Sequence, residues 1–366
     1  MTAPAAGTGG RTPPRQGDDP PIRLMIVDDS HVARAVLSRM IASQNGFEVV
    51  ALAGNAAEAL AALRSVKVDI VLLDLEMPGA SGLEALPDIL RAGAGARVLV
   101  VSSLCERGAQ ATVRALALGA ADTLPKPGTS AFAGRFAQVL GETLRRIGRV
   151  APRREEPVPA DARVRLRAMP GGRLECLAIG ASTGGFHAIN DLLRALPARI
   201  GAPILVTQHL PTLFMPFFAR QLEAACGRTA AVAEDGEKLR ADHIHVAPGD
   251  AHIRLDRVGA STSIQLCRIP AASGCLPSAD PMFASVGETY GSGAVGVVLS
   301  GMGRDGFAGS RRLVECGGAM LTQDKASAAI WGMPRAIAEA GLASAVLAPP
   351  DLAARIAARL EAGSCR

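Results

Sequence analysis

Aromatic residues are scarce in this chain: Phe, Trp and Tyr together make up 3% of its 366 residues. That scarcity argues against a protein that holds nucleobases or sugars on stacked rings. No apolar stretch approaches the roughly 18 residues of a membrane span, and the first residues lack the apolar core of a secretion signal. A cytoplasmic protein without membrane insertion is expected. The seven cysteines are odd in number and form no C-x-x-C pair, so neither a disulfide framework nor a cysteine-based zinc site is expected. The net charge is a mild +5 with Lys and Arg dispersed along the chain, which leaves no footprint for a nucleic-acid partner.

What is present is apolar content and rhythm. Hydrophobic residues make up 49%, and the length suffices for two domains with separate cores. Residues 1–20 are rich in Pro, Gly and Ala without periodicity and read as a disordered tail. Over 21–150 the apolar runs IRLMIV, FEVVALA, VDIVLLD, RVLVVSS and ADTLPK alternate with five amphipathic stretches, the pattern of a doubly wound parallel α/β sheet. Residues 151–172 break the rhythm with Pro and charge and read as a linker. A second α/β pattern fills 173–366: the strands LECLAIG, PILVTQH, GAVGVVLS and AMLTQ, a hairpin-like HIHVAPGDAHIRL, and intervening helices.

Functional groups of a doubly wound sheet gather at the C-terminal ends of its strands. In the first half Asp28 and Asp29 end strand one, Asp74 ends strand three, Ser102 and Ser103 end strand four, and Lys126 ends strand five. One such acid would be an ordinary strand-end or capping residue, but four charged positions at strand ends point to a site. Converging carboxylates repel one another unless a divalent cation neutralises them, and oxygen ligands favour Mg²⁺. An ionised Asp is also a nucleophile toward a phosphoryl group once metal and lysine absorb the charge.

The motifs IVDDS, LLDLEMPGASGLE, VVSS and LPKP make residues 22–145 resemble the receiver domains of bacterial two-component systems, a flavodoxin-like five-stranded fold. The resemblance implies that a histidine kinase phosphorylates Asp74. It implies Mg²⁺ on Asp29, Asp74 and the backbone carbonyl of Glu76, with Asp28 supporting from just outside. Ser102 and Lys126 would bind the phosphoryl oxygens and carry the switch, and Lys126–Pro127 would be a cis peptide. Thr123 departs from the pattern, since such receivers usually carry an aromatic residue three positions before the lysine. The outward relay of the signal therefore does not follow from the resemblance.

In the second half the strand LECLAIG runs into Gly180-Ala181-Ser182-Thr183-Gly184, a G-x-S-x-G pattern at a strand-to-helix turn. Its glycines permit a tight turn, and the helix N-terminus offers N–H groups to an oxyanion. A phosphate-binding glycine loop is the bland rival, but neither G-x-G-x-x-G nor a following Lys-Ser/Thr is present. A serine nucleophile needs a base, and the base a carboxylate to orient it. His209 ends the next strand, and Asp305 lies in the turn after GAVGVVLS. A single strand-end histidine is more often structural than catalytic; three polar groups at three strand ends favour catalysis. His187 could pack or face solvent, and the alternation of His243, His245 and His252 suggests metal binding without a nearby acid or Cys cluster to support it.

The signatures AIGASTGG, TQHLP, APGDAHI, LSGMGRDG and QDKASAAIWGMPRAI make most of 174–362 resemble the CheB-type protein-glutamate methylesterases, and the receiver-linker-hydrolase order matches as well. The resemblance implies a Ser182–His209–Asp305 triad with the backbone N–H of Met302 in the oxyanion hole and no metal in the hydrolase half. It implies hydrolysis of glutamate γ-methyl esters on methyl-accepting chemotaxis receptors, deamidation of receptor glutamines by the same attack, and a CheA-type kinase as phosphodonor. The alternative from another class is a non-catalytic, phosphorylation-controlled binding regulator serving another chemosensory pathway. A DNA-binding output ranks third, because the second half is too large and insufficiently basic for a helix-turn-helix reader.

Overall fold

The computed structural model describes residues 20–77, 81–103, 105–126, 133–148, 165–259 and 261–364. Apart from Pro20, the tail expected over 1–20 lies outside them, as do residues 151–164 of the linker and Pro127 with its peptide bond.

The N-terminal half alternates strand and helix throughout: β1 Ile22–Val27, α1 His31–Ala42, β2 Phe47–Ala53, α2 Ala56–Leu63, β3 Ile70–Leu73, α3 Gly82–Ala92, β4 Arg97–Ser102, α4 Glu106–Ala117, β5 Asp122–Pro125 and α5 Ala133–Gly148. The strands form one sheet in the order β2-β1-β3-β4-β5, and every pairing is parallel. Helices on both faces leave the middle strand no polar side, which is why β3 reads as an unbroken apolar IVLL, buried at all four positions. Local signals set the helix starts: Ser30 caps α1, and Ser81 with Glu84 forms a capping box on α3. The strand order reverses between β1 and β3, so the crevice at their C-terminal ends is where a ligand is expected.

The second half holds β6 Cys176–Ala181, α6 Gly185–Ala195, β7 Ile204–Gln208, α7 Met215–Cys226, β8 Ala230–Val232, β9 Ile244–Val246, β10 His252–Val258, β11 Ser261–Cys267, α8 Ala279–Tyr290, β12 Ala294–Val298, α9 Phe307–Glu315, β13 Ala319–Gln323, α10 Met333–Glu339, β14 Ala343–Leu347 and α11 Pro349–Ser364. Seven of these strands build a parallel sheet in the order β14-β13-β12-β6-β7-β9-β8. Its winding reverses between β6 and β12. Segment 244–255 is not a hairpin: β9 belongs to the large sheet, while β10 pairs with β11 in a separate antiparallel ribbon. Burial explains the split, since β9 is buried at every position and β10 alternates toward an exposed end.

Residues 165–172 lie against this second unit. Arg167 N–H donates to the Ala343 carbonyl over 2.9 Å, Arg359 Nε donates to the Gly172 carbonyl over 3.1 Å, and Met169 packs on the core. The two units also meet through α4, which rests on α6, α7 and the short turn Thr212–Phe214. A single apolar cluster runs from the receiver-like core into the second core, and His187 Nε2 stands 3.2 Å from the Ala120 carbonyl oxygen. Among the described residues no helix is long and apolar enough to cross a membrane.

Candidate functional site

Ser182 follows β6 and precedes a turn closed by Gly184, whose φ of +72° is a left-handed conformation that suits glycine. The backbone around Ser182 is pinned from three sides. Its N–H donates to the Ser300 carbonyl (2.9 Å), and its own carbonyl accepts from Gly185 N–H (2.8 Å) and Gln208 Nε2 (2.9 Å). Its side chain faces His209 from β7's end, with Oγ 3.1 Å from Nδ1; on the far side of the ring Nε2 lies 2.9 Å from Asp305 Oδ2. Asp305 is buried in the turn after β12 and anchored twice more, by Ala279 N–H at 2.8 Å and by the Ser278 hydroxyl at 2.5 Å. Ser278 is in turn fixed by its N–H on His252 Nδ1 (2.8 Å), whose Nε2 reaches the Ile269 carbonyl (3.0 Å).

This arrangement separates the charges. Burial alone would lower His209, yet the hydrogen bond and charge of Asp305, helped by the neighbouring Cys275 thiol, raise it to about 9. Burial pushes Asp305 up, but His209, the Ala279 N–H and the Ser278 hydroxyl hold it down at about 2. A buried carboxylate thus steadies a positive imidazole beside a hydroxyl. Gly301 approaches so closely that a Cβ there would stand 2.9 Å from the Ser182 Cβ. Its successor Met302 has a side chain 44% exposed.

At the edge of the other sheet Asp28 and Asp74 are buried and Asp29 is exposed, with carboxylate oxygens of all three within 4.8 Å of one another. Lys126 Nζ lies 2.7 Å from Asp74 Oδ2 and 3.1 Å from Asp28 Oδ2. Burial raises the Asp74 carboxyl, against the pull of the lysine. Asp28 Oδ2 nevertheless makes no aligned hydrogen bond among the described residues. A buried carboxylate oxygen left so, in a cluster of hard anionic donors, suits a divalent cation. Glu76 donates its N–H to Asp74 Oδ1 (3.2 Å) and turns its side chain to Ser103 Oγ (2.8 Å). Ser102 is not drawn into the pocket: its buried hydroxyl lies 2.6 Å from Thr112 Oγ1 of α4. Thr123 Oγ1 is buried with no hydrogen-bond partner among the described residues.

Of the other histidines, His187 bridges the two units and His252 supports Ser278. His243 and His245 do have an acid beside them, Glu237, which the sequence separates from them by a loop. Ser278 and Cys275 carried no sequence signal as site residues, because the helix α8 that Ser278 caps was not legible.

The fold and its two sites define a class, a two-unit α/β protein joining an acidic receiver-type pocket to a Ser–His–Asp hydrogen-bonded chain. The CheB methylesterase family model matches residues 177–356, and the response regulator receiver domain model matches residues 24–131. The chain is 40% identical to protein-glutamate methylesterase/protein-glutamine glutaminase 2 of Caulobacter vibrioides, over 92% of this chain and 99% of that protein. It is 36% identical to protein-glutamate methylesterase/protein-glutamine glutaminase 1 of Paramagnetospirillum magneticum, over 91% and 94%. The crystal structure of the Thermotoga maritima CheB methylesterase catalytic domain is 30% identical with a TM-score of 0.49, covering 50% of this chain and 98% of that one. The chain belongs to the protein-glutamate methylesterase/protein-glutamine glutaminase family, with a response regulator receiver domain preceding its methylesterase domain.

Proposed function

We propose that this protein hydrolyses glutamate γ-methyl esters on methyl-accepting chemotaxis receptors, and deamidates receptor glutamines by the same attack, under control of phosphorylation at Asp74. The observation that carries the reading is the continuous hydrogen-bonded chain from Ser182 through His209 to Asp305. His209 Nδ1 takes the Ser182 proton as Oγ attacks the ester carbonyl. Asp305 holds the proton on Nε2 and stabilises the imidazolium that forms. The Met302 backbone N–H and the start of α6 receive the oxyanion; methanol leaves and water releases the acyl group. Receiver, linker and hydrolase are assigned to 21–150, 151–172 and 173–366.

In the receiver, Asp74 is the phosphoacceptor for a CheA-type histidine kinase. Mg²⁺, when bound, offsets the carboxylate and phosphoryl charge, and Asp28, Asp29 and Asp74 with the Glu76 backbone would hold it. Lys126 is already placed to meet a phosphoryl oxygen, whereas Ser102 must leave Thr112 to do so. The protein acts in the cytoplasm, without nucleic acid or membrane insertion. Methanol release from methylated receptor, with and without a phosphodonor, tests the reading. Ser182→Ala should lower turnover on the order of 10³-fold or more. A Ser182→Ala protein with near-normal release would sink the serine mechanism, and a wild type that releases no methanol would return the chain to the non-catalytic regulator class.

A further inference from the structure

Beside the Ser182–His209–Asp305 chain stands a residue the mechanism does not use. Cys275 is a free, half-buried thiol on the segment that leads into α8. Its sulfur, a ring nitrogen of His209 and a carboxylate oxygen of Asp305 all lie within 4.8 Å of one another. Nitrogen, thiolate sulfur and carboxylate oxygen are the donor types of zinc, which binds them at about 2.0–2.3 Å in tetrahedral geometry. Such a geometry sets its donor atoms about 3.3–3.7 Å apart, so the three groups need shifts of only about 1 Å to close on an ion. Ser182 is half-buried and Met302 exposed, which leaves the cleft open for a fourth, water ligand.

The other two clusters among the described residues do not compete for the same ion. The three carboxylates at Lys126 are all hard oxygen donors. At Glu237, His243 and His245 a cation is built in, because the Arg240 guanidinium lies 3.0 Å from Glu237 Oε1 and 3.1 Å from His243 Nε2.

We propose that His209, Cys275 and Asp305 form an inhibitory site for zinc-class divalent cations, which switches the hydrolase off by capturing its base. The effect on rate rests on the triad reading above; the binding does not. In its neutral, active form His209 carries its proton on Nε2, toward Asp305, and offers the Nδ1 lone pair to Ser182. A metal ion on Nε2 requires the ring proton to sit on Nδ1, where it faces Oγ and leaves no lone pair to accept the serine proton. Cys275 binds as thiolate and His209 as neutral imidazole, so each ion bound releases the thiol proton and, from the charged form of His209, one ring proton as well.

The test uses the full-length protein with Mg²⁺ saturating. Zn²⁺ binding is followed by competition with a chromophoric chelator, and Co²⁺ substitution reports a thiolate-to-metal absorption band. Wild type should bind one inhibitory Zn²⁺, reversed by chelator, and show the band. Cys275→Ala, with inhibition judged against its own zinc-free rate, should lose the band and bind at least about tenfold more weakly, since even groups behind a ligand are worth 10–100-fold. Ser182→Ala should bind zinc as wild type does, so a failure of the serine mechanism would be seen separately from a failure of the site. Unchanged zinc affinity and inhibition in Cys275→Ala overturns the proposal. So does a wild type that shows neither band nor inhibition, or a loss of binding in His243→Gln that spares Cys275→Ala.

Discussion

At the scale of the residue, the His209–Asp305 pair couples activity and stability to pH in opposite directions. The imidazole is raised from 6.5 to about 9, so at neutral pH most of the resting protein holds His209 charged. Only neutral His209 can accept the Ser182 proton. The kcat/KM for ester hydrolysis should therefore climb with pH and level off near 9, not near the ordinary 6.5 of histidine. Stability runs the other way. A group whose folded value is raised contributes fully below its unfolded value, and the contribution is lost as pH rises through the folded one. The His209 contribution is thus present below 6.5 and lost toward 9. A rate profile measured against pH, beside denaturant midpoints over the same range, checks both. A rate already flat by about pH 7.5 would show that Asp305 holds the proton far less tightly than its three hydrogen bonds imply.

At the scale of the element, the join between β4 and α4 is the place where a phosphoryl group at Asp74 could reach the other unit. Ser102 ends β4 and is tied to Thr112 on α4, the same helix that rests on α6, α7 and Thr212–Phe214. A Ser102 drawn toward Lys126 must give up Thr112, and α4 loses a buried tether. Thr112→Val keeps the shape and removes the hydroxyl, so it should raise the unphosphorylated rate severalfold, with little change in the phosphorylated rate; coupling of this kind is worth about 1–3 kcal/mol. Equal rates in both states, with the fold intact by circular dichroism, would place the relay elsewhere. That tether was not legible in the sequence, because a hydroxyl pair ten residues apart gives no periodic signal. The acids were legible for the opposite reason: Asp28, Asp74 and Lys126 follow apolar runs whose length fixes them at one sheet edge. The same rule delivered Ser182, His209 and Asp305 to the reversal between β6 and β12. It failed for β8, β11, α8 and β14, short or weakly patterned elements, and for the 244–255 segment, where neighbouring strands joined different sheets.

At the scale of the whole molecule, the question is whether the receiver restrains or assists the hydrolase. Of the elements that carry α4, α6 begins just after Ser182, and the turn Thr212–Phe214 with α7 follows His209, so the receiver touches the elements that position both residues. The contact is continuous with both apolar cores, so separation exposes apolar surface and needs the free energy of phosphorylation to favour it. A restraint of this kind only subtracts from a site that is otherwise complete, and every hydrogen bond of the Ser182–His209–Asp305 chain comes from residues beyond 180. The fragment starting at Arg165 should therefore hydrolyse methylated receptor about 5- to 150-fold faster than the unphosphorylated full chain, the range set by typical coupling energies. The start matters: Arg167 and Gly172 hold β14 and α11, so a fragment cut at residue 173 forfeits the hydrogen bonds to Ala343 and Arg359. A folded 165–366 fragment slower than its unphosphorylated parent would mean that α4 helps to shape α6 and α7 for catalysis. Phosphorylation would then have to act by tightening that contact, and restraint by the receiver would be the wrong picture.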